Sequence, residues 1–245
     1  MFGNINEILL TLTVALAVAA VGIRILLKVN RLEWIKRFMT WALEYVDVGL
    51  SAILIALFIR AFVVEPFRIP SSSMEDTLLI GDHLFVNRFI YGLRIPYVKA
   101  RPLSWREPRR GDIVVFIPPH QRDKDFIKRV IGTPGDTVEM RDQDVFVNGR
   151  KLVEPYVVHK DTRILPRYAG IRDNYPRITV PPGKYFLLGD NRDRSEDSRY
   201  WGFASIADIK GKAIIIYFSW DHDPSVPAYN IPRKIRWKRI LKAIR

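Results

Sequence analysis

Residues 48–89 read VGLSAILIALFIRAFVVEPFRIPSSSMEDTLLIGDHLFVNRF. The stretch changes character at Glu65. Before it, Val48 to Val64 form an apolar run broken only by Arg60. After it come two prolines, three consecutive serines and then HLFVNRF (83–89), rich in aromatic and β-branched side chains. A segment of membrane length therefore hands over to a β-rich body at this point. The serines pose a local question. Ser72, followed three residues later by Glu75, fits a capping box, and a serine run beside proline is ordinary loop material. A hydroxyl that does chemistry would need a base supplied from elsewhere in the chain.

Upstream lies a second apolar run, Ile8 to Leu27, with Arg24 as its one charge. A bilayer core of roughly 30 Å needs about 20 helical residues, so both runs are just long enough. Spans are expected at about 8–27 and 48–64, joined by a loop over 28–47. Arg24 and Arg60 stand near the span ends, where a long cationic side chain can reach the headgroups. A cleaved signal peptide is the alternative for the first run, but MFGNINE lacks the usual Lys or Arg. The loop carries Lys28, Arg31, Lys36 and Arg37 against Glu33 and Glu44. Basic loops stay in the cytoplasm, so both termini are expected outside, in a multi-pass membrane protein. Residues 1–64 then form a membrane anchor, and 65–245 an exported domain.

The exported part reads as mainly β. DIVVFI (112–117), DFIKRVI (125–131), DVFV and RKLV around Asn148-Gly149, RITV (177–180), KYFLL (184–188) and KAIIIYF (212–218) are short and bounded by turn residues. Asn-Gly is a strong hairpin signal, because a type I′ turn needs positive φ at both central residues. The expected fold is antiparallel sheets closing into a barrel-like body.

The formal charge of +13 suggests an anionic partner, nucleic acid or lipid. Seven of the basic residues fall in the tail 233–245, which leaves a surplus of six elsewhere. That confinement and the outward topology argue against nucleic acid and for membrane lipid. In the tail, Trp237, Ile240, Leu241 and Ile244 follow helical spacing. A short amphipathic helix on lipid and a segment packed on its own domain both fit. The chain has no cysteine, and its four histidines lack metal-ligand spacing. Neither a metal nor a cofactor is expected.

Two stretches besides the serines carry chemistry. In DFIKRVIGTPGD, Lys128 shares a strand face with Phe126 and Val130, and Arg129 shares the other with Ile127 and Ile131. Arginine does not lose its proton in proteins, so of the two only Lys128 can be a base. The bland reading of Lys128 is a solvated edge-strand lysine. The other stretch is GDNRDRSEDSRYWGF (189–203), dense in acids and arginines. A calcium loop fits poorly, since Arg192 and Arg194 occupy ligand places; a stiffening network of charge pairs fits better.

PSSSMEDTLLIGD, RGDIVVF, DFIKRVIGTPGDTVE and GDNRDRSEDSRYWGF occur in the order of the boxes of bacterial type I signal peptidases, also called leader peptidases. The chain resembles that family over essentially residues 48–220, and the ordered set is specific where each motif alone is weak. The resemblance implies a serine endopeptidase of the bacterial inner membrane, its catalytic domain on the periplasmic face, that removes signal peptides from exported preproteins after small residues of the A-x-A type. It implies Ser73 as nucleophile, Lys128 as general base and Ser195 as the serine that orients the lysine amine. The Ser73 N–H and the Ser71 hydroxyl match an oxyanion hole, and Asp197 with Arg199 a loop-holding ion pair. Phe67, Ile69, Met74, Leu78, Phe126 and Ile127 match the apolar substrate pockets. Residues of about 138–180 correspond to a small β insert. The sequence departs from the family at Ser72, where glycine is frequent and positive φ would strain a serine. It departs also at Asp76, where proline is frequent, and at Phe126, where tyrosine is common. A catalytically silent scaffold of the same fold is the alternative.

Overall fold

The computed structural model describes residues 3–29, 33–58, 64–92, 105–222 and 231–245. They divide into two compact units, 1–63 and 64–245.

The first unit is a helical pair, α1 (Gly3–Val29) and α2 (Glu33–Phe58). Glu7–Leu27 and Glu33–Phe58 are each long and apolar enough to cross a membrane. Their large side chains point outward: Ile8, Val18, Val48 and Ile55 are all at least 60% exposed. A helix of a soluble protein would turn such residues into a core. Between the helices, Arg24 Nη2 meets Asp47 Oδ2 at 2.9 Å. The structure corrects the expected loop over 28–47, because residues 33–47 are the first half of α2. The missed signal is aromatic: Trp34, Phe38, Trp41 and Tyr45 recur at helical spacing, with Trp41 and Tyr45 rings 4.7 Å apart. Of the run expected to end at Val64, residues 59–63 lie outside the described residues. Val64 itself opens a strand.

The second unit contains β1 (Val64–Arg68), β2 (Asp82–Asn87), β3 (Ile113–Phe116), β4 (Phe126–Gly132), β5 (Thr137–Arg141), β6 (Asp144–Val147), β7 (Arg150–Lys151), β8 (Tyr175–Thr179), β9 (Lys184–Leu188), α3 (Ser198–Trp201), β10 (Ala204–Ser205), β11 (Ile209–Ser219) and β12 (Lys242–Ala243). The larger, curled sheet runs β1-β2-β11-β3-β4-β9-β10, with β12 beside β11. A smaller sheet runs β7-β6-β5-β8. Every pairing within both is antiparallel. β1 sits at an edge, where Pro66 removes no ladder bond that the sheet needs. At the β6–β7 hairpin, Asn148 and Gly149 take φ of 53° and 77°, the pair of positive values that the Asn-Gly signal demands.

The uninterrupted apolar run of β3 is buried on both faces. Ile113 and Val115 join a core with Met74, Leu84 and Ile216. Val114 and Phe116 join a second core with Val130 and Leu187. This central strand thus fixes the position of its neighbour β4, on which Lys128 lies. The strands at 137–141, 204–205 and 242–243 were not anticipated, being short or polar.

The tail is not an amphipathic helix. Trp237–Arg239 form one 3-10 turn, and β12 then pairs with β11. Ile244 is buried in the first core, beside Met74 and Leu78. Backbone bonds explain the outcome. Leu241 N–H donates to Ile216 O at 2.7 Å and Ile244 N–H to Ile214 O at 3.0 Å, whereas so short a helix alone would be marginal. Two tail charges are also spoken for: Arg236 pairs with Asp221 and Arg239 with the buried Asp82.

Candidate active site

The serine loop is a chain of turns rather than a capped helix. Glu75 N–H donates to Ser72 O at 3.1 Å and Leu78 N–H to Met74 O at 2.7 Å. The Glu75 carboxylate accepts from Asn191 Nδ2 and faces Lys160, so the expected capping box does not form. Ser72 is free of the positive φ that would strain it. That conformation belongs to Asp76, at φ 70°. Aspartate tolerates the left-handed region better than most residues, and proline cannot enter it at all. Proline, frequent in the family at this position, is therefore excluded by this backbone.

Asn191 holds the loop from behind. Its N–H donates to Ser73 O at 3.1 Å, and its side-chain amide also reaches Ser72 O at 3.1 Å. Nothing in sequence spacing marked this residue. Gly189 is required two positions earlier: a Cβ there would collide with both Ser195 Oγ and Ser73 O.

Ser73 and Lys128 come together from 55 residues apart. Nζ and Oγ are 2.7 Å apart, and Nζ also donates to Ile127 O at 3.1 Å. Lys128 is 3% exposed and Ser73 6%. The solvated-lysine reading thus fails. β4 is covered because β3 pairs along one side, opposing Val114 to Lys128, and both faces carry core. The amine also lies 5.4 Å from the Phe126 ring centroid. Burial disfavours the ammonium and pushes the Lys128 pKa from 10.5 down to about 8, against the opposing pull of Asp197, Glu196 and Asp190. At pH 7 an ordinary lysine is neutral in about one molecule in three thousand; at a pKa near 8 the fraction is about one in ten. The Ser71 hydroxyl lies 3.4 Å from Ser73 Oγ, and so beside the reacting atom.

The other strand face carries a second buried cation. Arg129 forms a two-point pair with Asp190, at 2.8 and 2.7 Å, and Asp190 also accepts from Thr77 at 2.6 Å. This ties the lysine strand, the serine loop and the 189–203 loop together. In that loop, Asp197 and Arg199 pair at 2.8 Å with both side chains wholly buried. Asp197 also caps α3. The expected charge network is present, and the geometry expected for this ion pair is found. Ser195 is different. It is buried and adjacent to the Ser73 backbone through Gly189, but its Oγ has no hydrogen-bond partner. The expected bond from Ser195 to the lysine amine is therefore not made in this conformation.

A cleft of about 500 Å³ opens at Ser73 and Lys128. Phe67, Phe126 and Ile127 line it, with Arg68, Lys124, Asp125, Arg194 and Glu196 around them. Ile69, Met74 and Leu78 do not line it. Each is at most 1% exposed and belongs to the core behind, because the turn at 74–78 folds these side chains inward. That these charged residues line one cleft is not legible in the sequence, since surface charges carry no periodic signal.

Comparison with known proteins agrees in one direction. A family model described as "Signal peptidase, peptidase S26" matches residues 42–220. Signal peptidase I of Pseudomonas fluorescens is 36% identical over 208 residues, covering 72% of each chain. The Pseudomonas aeruginosa protein of that name is 36% identical over 220 residues, covering 77% of this chain and 76% of the relative. That of Rickettsia massiliae is 38% identical over 215 residues, covering 71% and 80%. A crystal structure of a signal peptidase I from Enterococcus faecalis V583, 40% identical, covers 44% of this chain and 97% of its own with a TM-score of 0.36.

Proposed function

The chain belongs to the signal peptidase family of S26 peptidases, and from that premise we propose that Ser73 and Lys128 are the nucleophile and general base with which it cuts preproteins. It is a membrane-anchored serine endopeptidase that removes signal peptides. One observation carries the assignment: a buried amine, held below the usual lysine range, sits 2.7 Å from a serine hydroxyl at the floor of an open cleft.

The chemistry follows from that contact. Neutral Nζ accepts the Ser73 hydroxyl proton as Oγ attacks the scissile carbonyl. The carbonyl oxygen becomes an oxyanion, which the Ser73 N–H and the Ser71 hydroxyl stabilise. The Lys128 ammonium then gives its proton to the departing amine, leaving an acyl-enzyme on Ser73. Lys128, neutral again, takes a proton from water, which attacks the ester and regenerates the serine. The free hydroxyl of Ser195 turns to Nζ once Ser73 Oγ is acylated and no longer its partner. Asp197 and Arg199 hold the loop that carries Ser195.

Substrate enters extended. β4 meets β9 only from Arg129 onward, so the edge at Phe126–Lys128 is open for a peptide strand. Phe67, Phe126 and Ile127 supply apolar walls that exclude large side chains, although a single methylene discriminates by only about 1–3 kcal/mol. Residues 65–245 form the catalytic domain, with its insert at about 138–180. The basic segment between the helices stays in the cytoplasm and the catalytic domain faces the periplasm, where anionic headgroups lie within reach of the surface cations. The test is cleavage of an exported precursor by the full chain in detergent. Ser73→Ala and Lys128→Ala are each expected to abolish it while the protein stays folded. Wild-type rates in either variant would overturn the assignment.

A further inference from the structure

The cleft is not electrically neutral. Besides Lys128, three cations line it, Arg68, Lys124 and Arg194, and two acids, Asp125 and Glu196. Both acids already have partners outside the lining. Asp125 pairs with Lys210 at 2.6 Å, and Glu196 with His120 Nε2 at 2.9 Å. Arg68 is turned to His222 at 2.9 Å. Lys124 and Arg194 are both exposed, and neither side chain has an ion-pair or hydrogen-bond partner among the described residues. They line the cleft from separate segments: Lys124 leads into β4, and Arg194 precedes Ser195 in the 189–203 loop. A peptide lying in the cleft therefore meets both.

Resting on the assignment of this cleft as the cutting site, we propose that Lys124 and Arg194 are specificity-determining residues that favour preproteins with an aspartate or glutamate close to the scissile bond. An extended peptide advances about 3.3 Å per residue, and Lys124 lies four residues before Lys128 in the chain, in the bend that leads into β4. The favoured carboxylate therefore falls within about four residues of the bond that is cut. The A-x-A small-residue requirement fixes the bond itself; the cations rank the precursors that satisfy it. Each exposed ion pair of this kind changes affinity by about two- to fivefold, and screening by salt weakens it.

The test uses the full chain in uncharged detergent, without anionic lipid, and one precursor with an A-x-A site. Asp or Lys is placed singly at each position from five residues before to four after the bond, sparing the two small-residue positions. The readout is the Asp-to-Lys ratio of kcat/KM within each enzyme, which is independent of the enzyme's overall rate. The expected result is a ratio of about three to ten at one or two positions, falling toward one in 0.5 M salt. It should also fall toward one in Lys124→Gln with Arg194→Gln, and drop below one in Lys124→Glu with Arg194→Glu. A ratio of one at every position in the wild type, or a ratio unchanged in the double variants, overturns the proposal. Cleavage of the unsubstituted precursor separates the two claims. If it is cut without charge preference, only the role of the cations is lost. If it is not cut at all, the function assigned to the cleft falls as well.

Discussion

Replacing Lys128 by methionine should make the protein inactive and, near neutral pH, more stable. The lysine pKa is lowered from 10.5 to about 8 by burial. A folded-state pKa below the unfolded one means that folding opposes protonation of this amine. The penalty is present in full below pH 8 and fades as pH rises through 10.5. It comes to about 3 kcal/mol at pH 7 and about 2 kcal/mol at pH 9. Methionine keeps the length of the stem and removes the charge. It also removes the contacts to Ser73 Oγ and Ile127 O, whose net worth is about 1 kcal/mol each. The variant should therefore gain about 1 kcal/mol at pH 7, or roughly 2–4 °C in Tm for a domain of this size. The gain should shrink by about 1 kcal/mol between pH 7 and pH 9. The assay is denaturant unfolding of both full-length proteins in the same detergent across that range. A variant less stable than the wild type at pH 7, or a difference independent of pH, would refute the claim that burial holds this amine below the usual lysine range at a cost to the fold.

Further expectations concern the surroundings of that pair. Gly189→Ala should lower kcat at least a hundredfold, because the added methyl displaces Ser195 or the Ser73 backbone; precursor cleavage at wild-type rate would show that the loops yield. Ser195→Ala breaks no hydrogen bond, so thermal melting should place its stability within about 1 kcal/mol of wild type while kcat falls at least tenfold. A loss of both would make Ser195 structural. Ile244→Ala should cost about 2 kcal/mol, read by the same melting experiment, because the tail fills the core beside Met74. An unchanged Tm would mean that the tail is not packed there.

Sequence pattern reached the chemistry more surely than the boundaries. The strands KYFLL and DIVVFI and the Asn148-Gly149 hairpin were legible because β-branched runs and turn residues act locally. α2 was truncated because hydropathy fades over residues 33–47, although the aromatic spacing there is helical. The tail misled for the opposite reason: Trp237, Ile240, Leu241 and Ile244 have helical spacing, but the ladder with β11 satisfies more backbone groups. Ser73 and Lys128 were reached through the order of four motifs. Residue type alone also singled out Lys128 over Arg129 as a base, without showing that both would be buried. What remained hidden was three-dimensional: Asn191 behind the serine loop, Arg129 pairing with Asp190, and Met74 and Leu78 turned into the core.

The most direct test of the central claim is covalent labelling with a serine-acylating probe, followed by mass spectrometry of the modified peptide. The label should fall on Ser73 alone among the three consecutive serines, increase about tenfold per pH unit below a midpoint near pH 8, and vanish in Lys128→Met. Labelling of Ser71 or Ser72, or labelling of Ser73 that persists at all pH values without the lysine, would contradict it.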